Sequence, residues 1–177
     1  MTDPIHDMAM DTFTPLLRTL SGLLDKGDAY MRAKGSDFDA LASARLAPDM
    51  LTLAQQVQFA CDLPVDGVAL LTGRPSPPVA ASEPTLEGLK ARLARAIAWL
   101  DAVPAAAFEG AQDRTISKPL QGDLVLEMTG LPFLRDWSLP NFYFHLVTAY
   151  DILRHNGVDI GKRDYLAHIG PSIRSGG

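Results

Sequence analysis

A chain of 177 residues, 47% hydrophobic and 21% charged, has the size of one domain and a globular composition, which excludes a disordered polymer. Its 16 basic and 21 acidic residues leave a net charge of −5 with no basic run, so nucleic acid is not an expected partner. The opening MTDPIHDMAMDTF lacks the basic and apolar regions of a signal peptide, and no stretch approaches the roughly 18 apolar residues of a membrane span, so a soluble, cytoplasmic protein without membrane contact is expected.

In chain order, Phe13, Leu16, Leu17, Leu20, Leu23, Leu24 and Met31 recur at helical spacing and predict a first helix over 12–34. Thr12 or Thr14 would cap it, Pro15 suits its first turn, and Gly35 stops it. His6 falls in the expected leading tail. A short helix over 41–44 would take Ser36 or Asp37 as its cap and break at Pro48.

Asp49 is the expected N-cap of a second long helix from about residue 50, in which Leu53, Val57, Ala60 and Cys61 share a face with Gln56. Pro64 should kink or end that helix, with Gly73 as its terminator. Cys61 is the single cysteine; it excludes an internal disulfide and, without a neighbouring cation in FACDLP, reads as a small packing residue.

RPSPPVAASEP at 74–84 is a linker. Ser82 or Thr85 should cap the next helix, whose Leu86, Leu89, Leu93, Ile97 and Leu100 form one stripe that Trp99 closes. Over 112–128 the period changes to two around a QGD turn, which predicts a β-hairpin with Pro119 at its edge or turn. GLPFLRDW reads as a helical turn. PNFYFHLVTAYDILRHNGV then gives the last long helix, 140–156, ended by Gly157. Asp151 and Arg154, three apart, should pair on its surface. Residues 1–166 are expected to form one domain and 167–177, with His168, a flexible tail.

Three stretches carry a resemblance: RLAPDMLTLAQQVQFACD at 45–62, AFEGAQDRTI at 107–116 and LPNFYFHLVTAYDILRHNGVDIGKRDYL at 139–166. Together they resemble an uncharacterised bacterial family of the DinB/YfiT-like superfamily. The resemblance implies a mainly all-α fold, an up-down-down-up four-helix bundle with the hairpin inserted before the last helix. It also implies a divalent metal, zinc or nickel, held by one histidine on the second helix and two on the last as H-x-x-x-H. Some members are thiol transferases or hydrolases, and homodimers are common among them.

Carried over position by position, these ligands fall on Gln56, Asn141 and His145, so one histidine of three remains. Four-residue spacing puts Asn141 and His145 on one helix face. Two neutral amides replace two imidazoles, which disfavours zinc or nickel and leaves a degenerate metal set. A polar cluster inside a bundle is where small-molecule sites are built. The expected ligand-binding residues are Gln56, Asn141 and His145, with Tyr150 at the margin and Tyr143 as packing. A small-molecule ligand is the expected partner. A metal-dependent transferase or hydrolase with replacement ligands, and a non-catalytic interaction bundle, are the alternatives. No serine-hydrolase elbow or phosphate-binding glycine loop is present.

Overall fold

The computed structural model describes residues 4–78 and 84–174. The first helix, α1 (Pro4–Ala33), begins eight residues earlier than the spacing predicts. Ile5 and Ala9 extend the apolar stripe by two turns ahead of Phe13, and all three are buried. Thr12, Thr14 and Pro15 are therefore interior residues, not a cap and a first turn. Pro15 supplies no N–H to the Asp11 carbonyl, and it is tolerated where Asp11 faces solvent. His6 lies in this helix, bonded to Asp7 and edge-on to Phe108, rather than in a tail. Gly35, at φ +70°, accompanies the helix end as expected.

The short helix α2 (Asp39–Ala42) has no side-chain cap, with Phe38 at the position expected of Ser36 or Asp37. Helix α3 (Leu53–Thr72) starts three residues later than expected, because its cap is Thr52 and not Asp49. The Thr52 hydroxyl accepts from the Gln55 amide while Gln55 Oε1 accepts from the Thr52 N–H, so two free donors of the first turn are satisfied reciprocally. Pro64 sits inside α3 without ending it, and Gly73 closes the helix at φ 67°.

Helix α4 (Leu86–Asp101) is capped by Thr85, whose hydroxyl accepts from Gly88; Ser82 lies outside the described residues. Leu89, Leu93 and Leu100 are buried, Leu86 and Ile97 half-buried, and Trp99 packs against the core. Two 3-10 helices, Ala105–Phe108 and Ala111–Asp113, lead to the antiparallel hairpin of β1 (Thr115–Pro119) and β2 (Val125–Thr129). Pro119 ends β1, and Gly122 and Asp123 turn the chain at φ 71° and 59°. Gly130 then passes so close to the Ala111 carbonyl that an added Cβ would lie 1.9 Å from its oxygen.

The last helix begins well before residue 140. A turn of α5 (Gly130–Pro132) runs through a π-helical segment (Phe133–Ser138) into α6 (Leu139–His155). Pro140 lies in the first turn of α6, after the wider winding has already changed the hydrogen-bond register. Arg154 turns to Asp159, at 3.6 Å, and not to Asp151. Gly157, at φ +93°, ends the helix. Helix α7 (Lys162–Tyr165) and a 3-10 helix (Ala167–Ser172) follow, both against α1.

Cross-contacts give the helix directions. Arg18 pairs with Asp101 at 2.8 Å and Lys90 with Asp25 at 2.6 Å, so α1 and α4 are antiparallel. Gln56 meets His145 and Gly67 meets Ser138, so α3 and α6 are antiparallel. Phe13 meets Phe142 and Gly27 meets Leu153, so α1 and α6 are parallel. The four long helices therefore run up, down, down, up, and close in the ring α1–α4–α3–α6. Phe13, Phe108, Phe133 and Phe142 are its largest fully buried side chains.

Candidate functional site

The antiparallel seam of α3 and α6 carries the candidate site. Thr52 fixes where α3 begins, and its first full turn then carries Gln56 inward, where it is 1% exposed. From α6, His145 reaches it: Nδ1 lies 2.7 Å from Gln56 Oε1. The Gln56 amide nitrogen makes a long bond, 3.5 Å, to the Leu51 carbonyl. That bond turns Oε1 toward the imidazole, so the proton of a neutral ring must sit on Nδ1. Burial holds the imidazolium below its ordinary range, so at neutral pH His145 is uncharged. Its Nε2 is then a bare lone pair, and it has no hydrogen-bond partner among the described residues.

The ring is held by aromatic neighbours. Phe59 stacks on it with centroids 4.9 Å apart and planes 14° apart, and Phe144 meets it edge-on at 5.2 Å. Neither phenylalanine was among the residues expected at the site. Phe59 stands one helical turn from Gln56, and that spacing was the available signal. Both rings are exposed, 44% for Phe59 and 57% for Phe144, and His145 is half-buried, so the imidazole lies in an open notch and not in a sealed core.

The other expected residues sit as follows. Asn141 donates its amide to the Trp137 carbonyl at 2.7 Å, a bond within its own helix. Tyr150 is half-buried and packs edge-on against Tyr165 of α7, 6.0 Å between centroids. The structure thus brings Gln56 and His145 together, while the hydrogen bond of Asn141 and the ring contact of Tyr150 lead elsewhere.

The donor set does not suit zinc or nickel. It comprises one imidazole and two neutral amides without a carboxylate, and the Gln56 oxygen is already occupied by Nδ1–H. Among the described residues no three His, Cys, Asp or Glu side chains come together as a metal cluster. A neutral base held in one tautomer by an amide can accept a hydrogen bond or a proton from a ligand donor. Among the described residues no helix is long and apolar enough to cross a membrane.

Comparison with known proteins agrees with this architecture. A crystal structure of a DinB family member protein from Shewanella denitrificans is 41% identical to this chain, covers 91% of it and 90% of its own length, and superposes with a TM-score of 0.82. No curated protein matches the chain. The model of the domain of unknown function DUF1993 matches residues 5–166, nearly the whole bundle; the chain belongs to that family and is DinB-like in fold.

Proposed function

We propose that the protein binds a small molecule at the α3–α6 notch, through the free Nε2 of His145. The observation that carries this reading is the half-buried, neutral imidazole, fixed by Gln56 and stacked on Phe59, with one nitrogen uncommitted. Such a ring accepts from an O–H, N–H or S–H group, and Phe59 and Phe144 supply apolar walls for the body of the ligand. Asn141 stands one turn before His145, but its amide is bonded to the Trp137 carbonyl, so the reading does not rest on it.

NMR of the His145 ring tests this during titration with small phenols, carboxamides and thiols. Binding is expected to shift the ring nitrogens and to weaken in Gln56→Leu, where the tautomer is no longer held. Absence of any His145 response across these donor classes would sink the reading. Reloading the untagged protein with zinc or nickel tests the metal-dependent alternative: one metal per chain, lost in His145→Ala, would replace the present reading with it.

A second reading, an interaction bundle, is favoured by one observation. Tyr143, Phe144 and Val147 of α6 are exposed apolar side chains on the outer side of the helix. Self-association through this face would be seen in solution mass measurements and abolished by Phe144→Glu.

A further inference from the structure

A separate cavity of about 520 Å³ opens between α3 and α4. Its volume lies in the roughly 300–1,000 Å³ range of small-molecule sites. Phe59 and Val65 wall it on one side, Ala96 and Trp99 on the other, and Pro77 and Pro78 border it from the linker. From α4 the small residues Ala96, buried, and Ala98, exposed, line it.

The charges at its rim are unequal. Arg92 binds Asp62 through two bonds, at 3.0 and 2.5 Å, and Lys118 pairs with Asp66. Among the described residues, both carboxylates of the rim, Asp62 and Asp66, are matched. Arg95 also lines the cavity, is exposed, and has no carboxylate partner among the described residues. An apolar, aromatic-walled groove with one unmatched guanidinium complements a ligand with an apolar body and a single anionic head.

We infer that this groove is a second binding site, for amphipathic carboxylates of the aryl or medium-chain class. The carboxylate meets Arg95 and the apolar body lies between Phe59 and Trp99. Phe59 thus serves both sites: it stacks on His145 and also lines the groove.

Calorimetry with decanoate, and with decanol as its uncharged counterpart, tests the inference below the micellar range. Trp99 fluorescence reports the position, with Trp99→Phe assigning the signal against Trp137. Decanoate is expected to bind more tightly than decanol. Arg95→Gln should weaken decanoate about tenfold, the effect of one charge-assisted hydrogen bond, and leave decanol unchanged. Ala98→Trp, at an exposed position, should fill the groove and abolish both while leaving the melting temperature in place. Equal affinity for acid and alcohol, insensitivity to Arg95→Gln, or full binding by Ala98→Trp would each overturn it.

Discussion

The α3–α6 seam is closed at one end and open at the other. At the closed end Gly67 lies against Ser138 and Phe133, so tightly that an added Cβ would sit 2.4 Å from Ser138 Oγ. At the open end Gln56 and His145 meet at hydrogen-bond distance, and the rings around them face solvent. The same two helices therefore pack by shape at one end and by polar pairing at the other. Close packing leaves no room for a ligand, whereas a half-buried imidazole with a free nitrogen retains capacity for one.

The largest test of this contrast is a pair of phenylalanines two residues apart on α6. Phe142 is fully buried against Phe13, and Phe142→Ala should cost about 3–5 kcal/mol in denaturant unfolding. Phe144 is 57% exposed, and Phe144→Ala should change stability by no more than about 0.5 kcal/mol. Similar losses at both positions would mean that the notch is part of the packed core.

Next comes the closed end itself. Gly67→Ala should destabilise by about 1–3 kcal/mol through overpacking. Ser138 Oγ is buried and has no hydrogen-bond partner among the described residues, so Ser138→Ala alone should be near neutral. Combined, the two should recover most of the loss, since the remaining Ser138 Cβ lies 3.5 Å from the added carbon. Simple additivity in this cycle would show that the contact is not what limits the seam.

A smaller effect belongs to pH. Burial lowers the His145 value in the folded protein, so below the ordinary histidine value of about 6.5 the unfolded chain binds more protons than the folded one. The contribution of His145 to stability is thus complete above that pH and declines as pH falls toward the folded value. His145→Gln should flatten this part of the profile. A His145 NMR midpoint at or above 6.5 would contradict the placement of the ring.

The least effect is expected at Cys61. It is buried at the α3–α4 seam, where burial, helped by Asp62, pushes its thiol up to about 12. Iodoacetamide should label it only on unfolding, even at pH 9.

Much of the bundle was readable because apolar residues at helical spacing are what four packed helices require. The hairpin was readable because its period is two and its turn needs Gly122 and Asp123 at positive φ. Where reading failed, two valid local rules competed. Asp49 and Thr52 can both cap a helix, but only Thr52 has a glutamine three residues on to complete the reciprocal pair. Pro15 and Pro64 look like boundaries, yet packing on both sides carries the helices through them. The π-helical segment had no counterpart in the pattern, since its hydrogen-bond register is set by tertiary packing and not by residue spacing. The Gln56–His145 pairing was reached through family likeness, and nothing local to Tyr150 foretold that it would turn to Tyr165.

That π-helical segment also bears on how relatives of this chain should be aligned. It holds one residue more than an ordinary helical path would need, and one residue is worth about 100° of rotation. A homologue one residue shorter between 133 and 138 would keep α6 in phase, with its counterpart of His145 still facing α3. The stretch before it, including Gly130 and the hairpin, would keep its facing as well, because the wider winding is what absorbs the surplus residue. A single-residue gap at this place would thus signal an ordinary helical turn in place of the wide one, with hairpin and notch both unmoved.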